Sequence, residues 1–171
     1  MNPSYFRIQL PLKEALRRWA DFNGVADLGP LTPADSMRAI DLACTPEGAW
    51  RGPALFIHEQ KTWTTFEDFS GHFSSLPASA WLKFAGQAPF ILAGYNDAIP
   101  YGEFIAIENG QVLCEFLDAG DDPEAGPEAS GPDKDRFKSW IDVASFVDGD
   151  DMGSSDEGLL WIGGTYTKAP L

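Results

Sequence analysis

The stretch from Tyr101 to Leu117 constrains the fold of this chain more than any other. Tyr101–Glu108 (YGEFIAIE) alternates apolar and polar residues, and Gln111–Leu117 (QVLCEFL) repeats the pattern. Asn109 and Gly110 lie between them. Asn-Gly is the strongest short hairpin signal, because a type I′ turn needs positive φ at both central residues. Two strands joined by two residues must pair antiparallel. Immediately upstream, Pro89–Gly94 (PFILAG) is wholly apolar, which suits a strand in the middle of a sheet.

Further strands are expected at Tyr5–Leu10, at Ala54–Glu59 and at Leu159–Ile162. Helices are expected where apolar residues recur at helical spacing. Leu12, Ala15, Leu16, Trp19 and Phe22 do so, and Asn23-Gly24 closes that run. The basic residues Lys13, Arg17 and Arg18 would form its positive face. A second helix is expected from Thr32 as cap and Pro33 as first helical residue, weakly continued to Cys44. A third is expected over Pro77–Ala85. Phe137, Trp140, Ile141, Ala144 and Phe146 suit either a short helix or an irregular packed segment. The fold class is therefore α+β: an antiparallel β-sheet with two or three helices packed on it.

The chain has 171 residues, a length that suits a single domain over 1–171. A subregion over 1–50 and an acidic loop over 119–132 are the points where it could be subdivided. Six Trp and twelve Phe are too many for a disordered protein and supply a real core. Of the two cysteines, Cys114 lies in an apolar run and reads as a small core residue, and both are expected to be reduced. Met1–Leu12 lacks the pattern of a secretory signal, and no apolar stretch is long enough to span a bilayer. The expected compartment is the cytoplasm.

The formal net charge is -14. Most of the excess acid lies between Glu115 and Glu157, where only Lys134, Arg136 and Lys138 oppose it. A field of one sign repels nucleic acid and anionic membranes, and attracts cations or a basic protein. Neither nucleic acid nor membrane is expected as a partner.

No catalytic motif competes with that signal. His58-Glu59 begins like the zinc-protease pattern, but Thr62 stands where the second His is required. The two His and two Cys show no paired metal-ligand spacing, so no metal or other cofactor is expected. Asp148–Gly153 resembles the start of a calcium loop, yet Met152 and Leu159 occupy positions that need an oxygen ligand. Nucleophile-elbow, Walker-type and dinucleotide fingerprints are absent. An enzyme would have to bring Asp97, Glu103 and His58 or His72 into one pocket. The turn from Asn96 to Glu103 reads as structural, with a contact loop as the alternative.

Three segments carry a resemblance: Ala93–Phe116 (AGYNDAIPYGEFIAIENGQVLCEF), Ser139–Asp151 (SWIDVASFVDGDD) and Glu157–Ile162 (EGLLWI). They resemble a group of small bacterial immunity proteins associated with polymorphic-toxin and type VI secretion loci. The likeness covers the C-terminal half of the chain. It implies a non-enzymatic inhibitor that binds a cognate toxin, such as a nuclease with a basic groove, through an acidic interface. In that role Asp121, Asp122, Glu124, Asp148, Asp150, Asp151, Asp156 and Glu157 would meet Lys and Arg of the partner. Rim charges alone give little affinity, so an aromatic anchor is needed; Trp140 is the candidate, with Trp161 and Tyr166. The alternative is a cytosolic adaptor or regulatory protein-binding domain whose acidity keeps it soluble.

Overall fold

A computed structural model describes residues 4–120, 126–150 and 156–164. Its strands are β1 (Ser4–Ile8), β2 (Leu31–Ala34), β3 (Ala54–Gln60), β4 (Trp63–Asp68), β5 (Phe90–Asn96), β6 (Tyr101–Glu108), β7 (Gln111–Asp118), β8 (Glu128–Ser130) and β9 (Gly158–Ile162). The helices are α1 (Leu12–Phe22), α2 (Ser36–Ala43), α3 (Ala78–Ala85) and α4 (Trp140–Gly149). All the strands join one 9-stranded sheet in the order β2-β9-β3-β4-β1-β5-β6-β7-β8. Every neighbouring pair is antiparallel. The architecture is α+β, an antiparallel sheet with helices packed on it. The segment left open between helix and irregular structure is α4, which brings the helices to four among the described residues.

The hairpin forms as its sequence dictates. Asn109 and Gly110 both take positive φ, 51° and 71°, the geometry of a type I′ turn. A register shift between Ala106 and Ile107 adds a bulge to the β6–β7 pair. β1 lies between β4 and β5, so the first fifty residues share the same sheet as the rest of the chain.

Alternation along the strands sends side chains to two cores. On one face Phe6, Phe66, Phe90, Leu92 and Ile105 meet Trp19 of α1 and Trp81 and Phe84 of α3. The Phe6 ring is the hub, 4.8 Å from Phe66, 4.7 Å from Trp81 and 5.2 Å from Trp19. On the other face, Tyr5, Ala93, Phe104 and Phe116 pack with Phe137 and with Val143 and Val147 of α4. Ala39 and Ala43 of α2 cover Phe56 and Leu160 on that same face. The result is a three-layer molecule, with α1 and α3 on one side of the sheet and α2 and α4 on the other.

The expected start of the second helix is corrected. Thr32 and Pro33 belong to β2, with Pro33 opposite Leu159. β2 is the outermost strand, where the missing Pro N–H costs no ladder bond. The cap moves to Asp35, whose Oδ1 accepts the Arg38 N–H at 2.8 Å. The expected acidic loop over 119–132 also contains a short edge strand, β8, all of it exposed.

The basic face of α1 is largely spent inside the molecule. Arg17 pairs with Glu14 and Asp21 at 2.7 and 2.9 Å. Arg18 donates to the carbonyls of Phe84 and Ala85, tying α1 to the end of α3. No helix among the described residues is long and apolar enough to cross a membrane.

Candidate functional site

Among the described residues, the candidate acids Asp148, Asp150, Asp156 and Glu157 do not form one surface. Asp150 is a structural group. Its Oδ2 accepts the Tyr5 hydroxyl at 2.7 Å, and its two oxygens engage the Arg7 guanidinium at 2.9 and 3.1 Å. Both charged side chains are mostly covered, so Asp150 fastens the end of α4 to β1 and is not offered to a partner. Burial, with the bond to Asp150, pushes the Tyr5 hydroxyl far above its usual pKa. Asp156 and Glu157 are exposed just before β9, which begins at the opposite end of the sheet from the β5–β6 turn. Asp121, Asp122, Glu124, Asp151 and Tyr166 lie outside the described residues.

Trp140 is half-buried at the first turn of α4. Its position follows from local chemistry. Ser139 and Asp142 form a capping box, and the Trp140 N–H donates to Asp118 Oδ2 at 2.8 Å. Gly102 of β6 lies directly beneath: a Cβ there would stand 2.8 Å from the Trp140 Cα. Trp161 is buried and its indole N–H donates to the Leu28 carbonyl, so it is core and not an anchor.

Asp148 is exposed near the end of α4 and accepts the Tyr95 hydroxyl at 2.9 Å. That bond raises the Tyr95 pKa, and the fields of Asp148 and Asp97 add to the effect. Tyr95 and Tyr101 lie at the end of the sheet where β1 begins and β4 and β5 finish. A half-open cleft of about 590 Å³ opens there. Ser4, Tyr95, Tyr101 and Glu103 line it, with Trp50 and Ile99 toward its outside.

Glu103 is the distinctive group of this cleft. The alternation of β6 sends Phe104 into the core under α4, and Glu103 and Ile105 to the opposite face. Glu103 is only 3% exposed. Its Oε2 accepts the Ser75 N–H at 2.8 Å, and the Ser75 and Tyr101 hydroxyls are 3.0 Å apart. These contacts hold Ser75 at a φ of 63°, unusual for a residue with a side chain. They pin the connection between β4 and α3 against the sheet. The second carboxylate oxygen, Oε1, is buried and no donor meets hydrogen-bond geometry at it. Burial drives the Glu103 pKa upward, opposed by the Ser75 N–H and by the hydroxyls of Tyr101 and Ser74. Burial and the field of Glu103 likewise raise the Tyr101 pKa.

A smaller cavity of about 380 Å³ lies on the other side of the pinned connection, again bordered by Glu103 and Ser75. Here Glu115 has a structural role. Its Oε1 accepts the Ala78 N–H at 2.7 Å and so caps α3, which begins after Pro77 without a side-chain cap of its own.

Asp97, Glu103, His58 and His72 do not meet in one pocket. His58 is buried on the opposite face of the sheet from Glu103, its Nε2 3.0 Å from Glu67. His72 is exposed in the turn after Gly71 and Asp97 is exposed in the β5–β6 turn; neither lines the cleft. Among the described residues, no three His, Cys, Asp or Glu side chains come together to hold a metal ion. Both cysteines are free, and Cys114 is buried beside Phe116.

From sequence, Glu103 stood out only as one of the side chains, with Asp97 and His58 or His72, that an enzyme would have to gather, and nothing pointed to the cleft. The signal was present in the alternation of β6, which places a carboxylate at a position flanked on its own face by the apolar Ile105. No protein-family model, curated protein or solved structure matches this chain.

Proposed function

We propose that this protein is an immunity protein, which neutralises a basic toxin by binding it. The observation that carries this reading is the charge. The chain holds a net -14, and exposed Asp97 and Asp148 gather around Tyr95 at one end of the sheet. Beside them Ile99 is 56% exposed and offers an apolar contact. An acidic rim with an apolar contact suits a protein partner with Lys and Arg around its own apolar patch. The likeness of the C-terminal half to toxin-linked immunity proteins makes that partner a toxin, and the basic groove of a nuclease fits the charge.

Inhibition then needs no chemistry from this chain. Carboxylates occupy positive sites on the toxin and exclude its substrate, and the opposed fields hasten encounter. The test is co-expression with the product of the neighbouring gene. Rescue of growth together with co-purification of the two chains is the expected result. A neighbour that is harmless and does not co-purify contradicts the toxin reading and favours an adaptor.

A further inference from the structure

We infer that the cleft beneath Tyr95 and Tyr101 is a receptor for an arginine side chain projected by the protein partner, with Glu103 as its anionic floor. This deepens the reading above and rests on it for the identity of the partner as a basic protein.

Three features of the cleft point to a cation of this shape. First, the one charged side chain among its lining residues is Glu103; no Lys, Arg or His lines it. Second, Glu103 is nearly fully buried, and although the Tyr101 and Ser74 hydroxyls stand near its carboxylate, no donor reaches Oε1 with hydrogen-bond geometry. A buried carboxylate oxygen with no partner is costly, and a partner's N–H groups would satisfy it. Third, the walls alternate hydroxyls with rings: Ser4, Ser74 and Ser75 offer acceptor oxygens, and Tyr101 and Trp50 offer aromatic surface. A planar guanidinium carries five donors and stacks on rings, so it meets both kinds of wall.

The source of the cation is a protein and not a free amine. Trp50 is 36% and Ile99 56% exposed, two large apolar side chains among those that line the cleft. A small cation would leave them in water, whereas the chain on either side of an inserted arginine would cover them. Arginine anchored in a central pocket and ringed by apolar contacts is the usual composition of an interface hot spot.

The test uses the full chain and needs no partner. Ethylguanidinium, its uncharged isostere ethylurea, and the peptide acetyl-Leu-Arg-Leu-amide are titrated into the protein and followed by amide NMR shifts. Ethylguanidinium is expected to give saturable shifts at Ser4, Gly94, Tyr101 and Glu103, and ethylurea none. The peptide is expected to bind about tenfold more tightly than ethylguanidinium, because it adds the apolar contacts. Glu103→Gln keeps an acceptor for the Ser75 N–H and should abolish both responses. Ile99→Asn, at an exposed position, should remove the peptide's advantage and leave the ethylguanidinium response intact. Equal shifts with ethylurea, or an unaltered Glu103→Gln variant, overturn the cation site. A free cation that binds as tightly as the peptide overturns the protein source. Either failure leaves the co-expression test standing, and failed rescue by the neighbour leaves the titration standing.

Discussion

At the scale of single residues, two carboxylates that look alike in sequence do opposite things. Asp150 is half-buried and completely partnered by Arg7 and Tyr5. Removing one member of a covered ion pair strands the other, so Asp150→Ala should cost about 3 kcal/mol, measured by urea unfolding. Arg7→Met combined with Asp150→Ala should recover part of that loss. Glu103 is buried and only half-partnered, and burial raises its pKa above the usual carboxylate value. A raised pKa means that the folded protein favours the protonated form. The stabilising contribution of that proton is complete below the ordinary value of 4.5 and is lost as pH rises through the folded value. Ionised Glu103 therefore weakens the fold at neutral pH. Glu103→Gln should match or exceed the parent's stability at pH 7, and this advantage should shrink as pH falls toward 4.5. Unfolding curves of both proteins at the two pH values check the sign.

At the scale of elements, the position of α4 decides the shape of the acidic end. The helix crosses the strands from Gly102 of β6 to Tyr5 of β1, and it can lie so low because Gly102 has no side chain. Gly102→Ala should force the helix outward and lower stability by about 2 kcal/mol, read as a fall in melting temperature. Elements defined by neighbouring residues were legible in the sequence. The Asn109-Gly110 hairpin, α1 with its Asn23-Gly24 stop, and the apolar β5 all follow from patterns a few residues long. β2 was misread because Pro33 suits the first turn of a helix and an edge strand equally well, and only the neighbouring β9 decides between them. The Asp150–Arg7 pair joins positions 143 apart, and the cleft draws on β1, β5, β6 and the turns after β4. No local pattern announces contacts of that kind. Charge density in the sequence is what suggested a basic partner. It could not separate Asp148, which stands in solvent, from Asp150 two residues later, which is locked to the sheet.

At the scale of the whole molecule, the described residues form one sheet of nine strands with helices on both faces. One end bears Asp97, Asp148, Ile99 and the Glu103 cleft; the account holds that this end meets the basic partner. Long-range fields act on encounter, so the rate of association is the quantity they control. The decisive measurement is the association rate constant with the partner recovered by co-expression, taken across a range of salt concentrations. It is made for the parent and for a variant with Asp97, Asp121, Asp122, Glu124, Asp148 and Asp151 changed to their amides. The account predicts that the parent's rate falls steeply with salt, and that the variant associates on the order of tenfold more slowly with little salt dependence. Equal rates for the two proteins at low salt would contradict it.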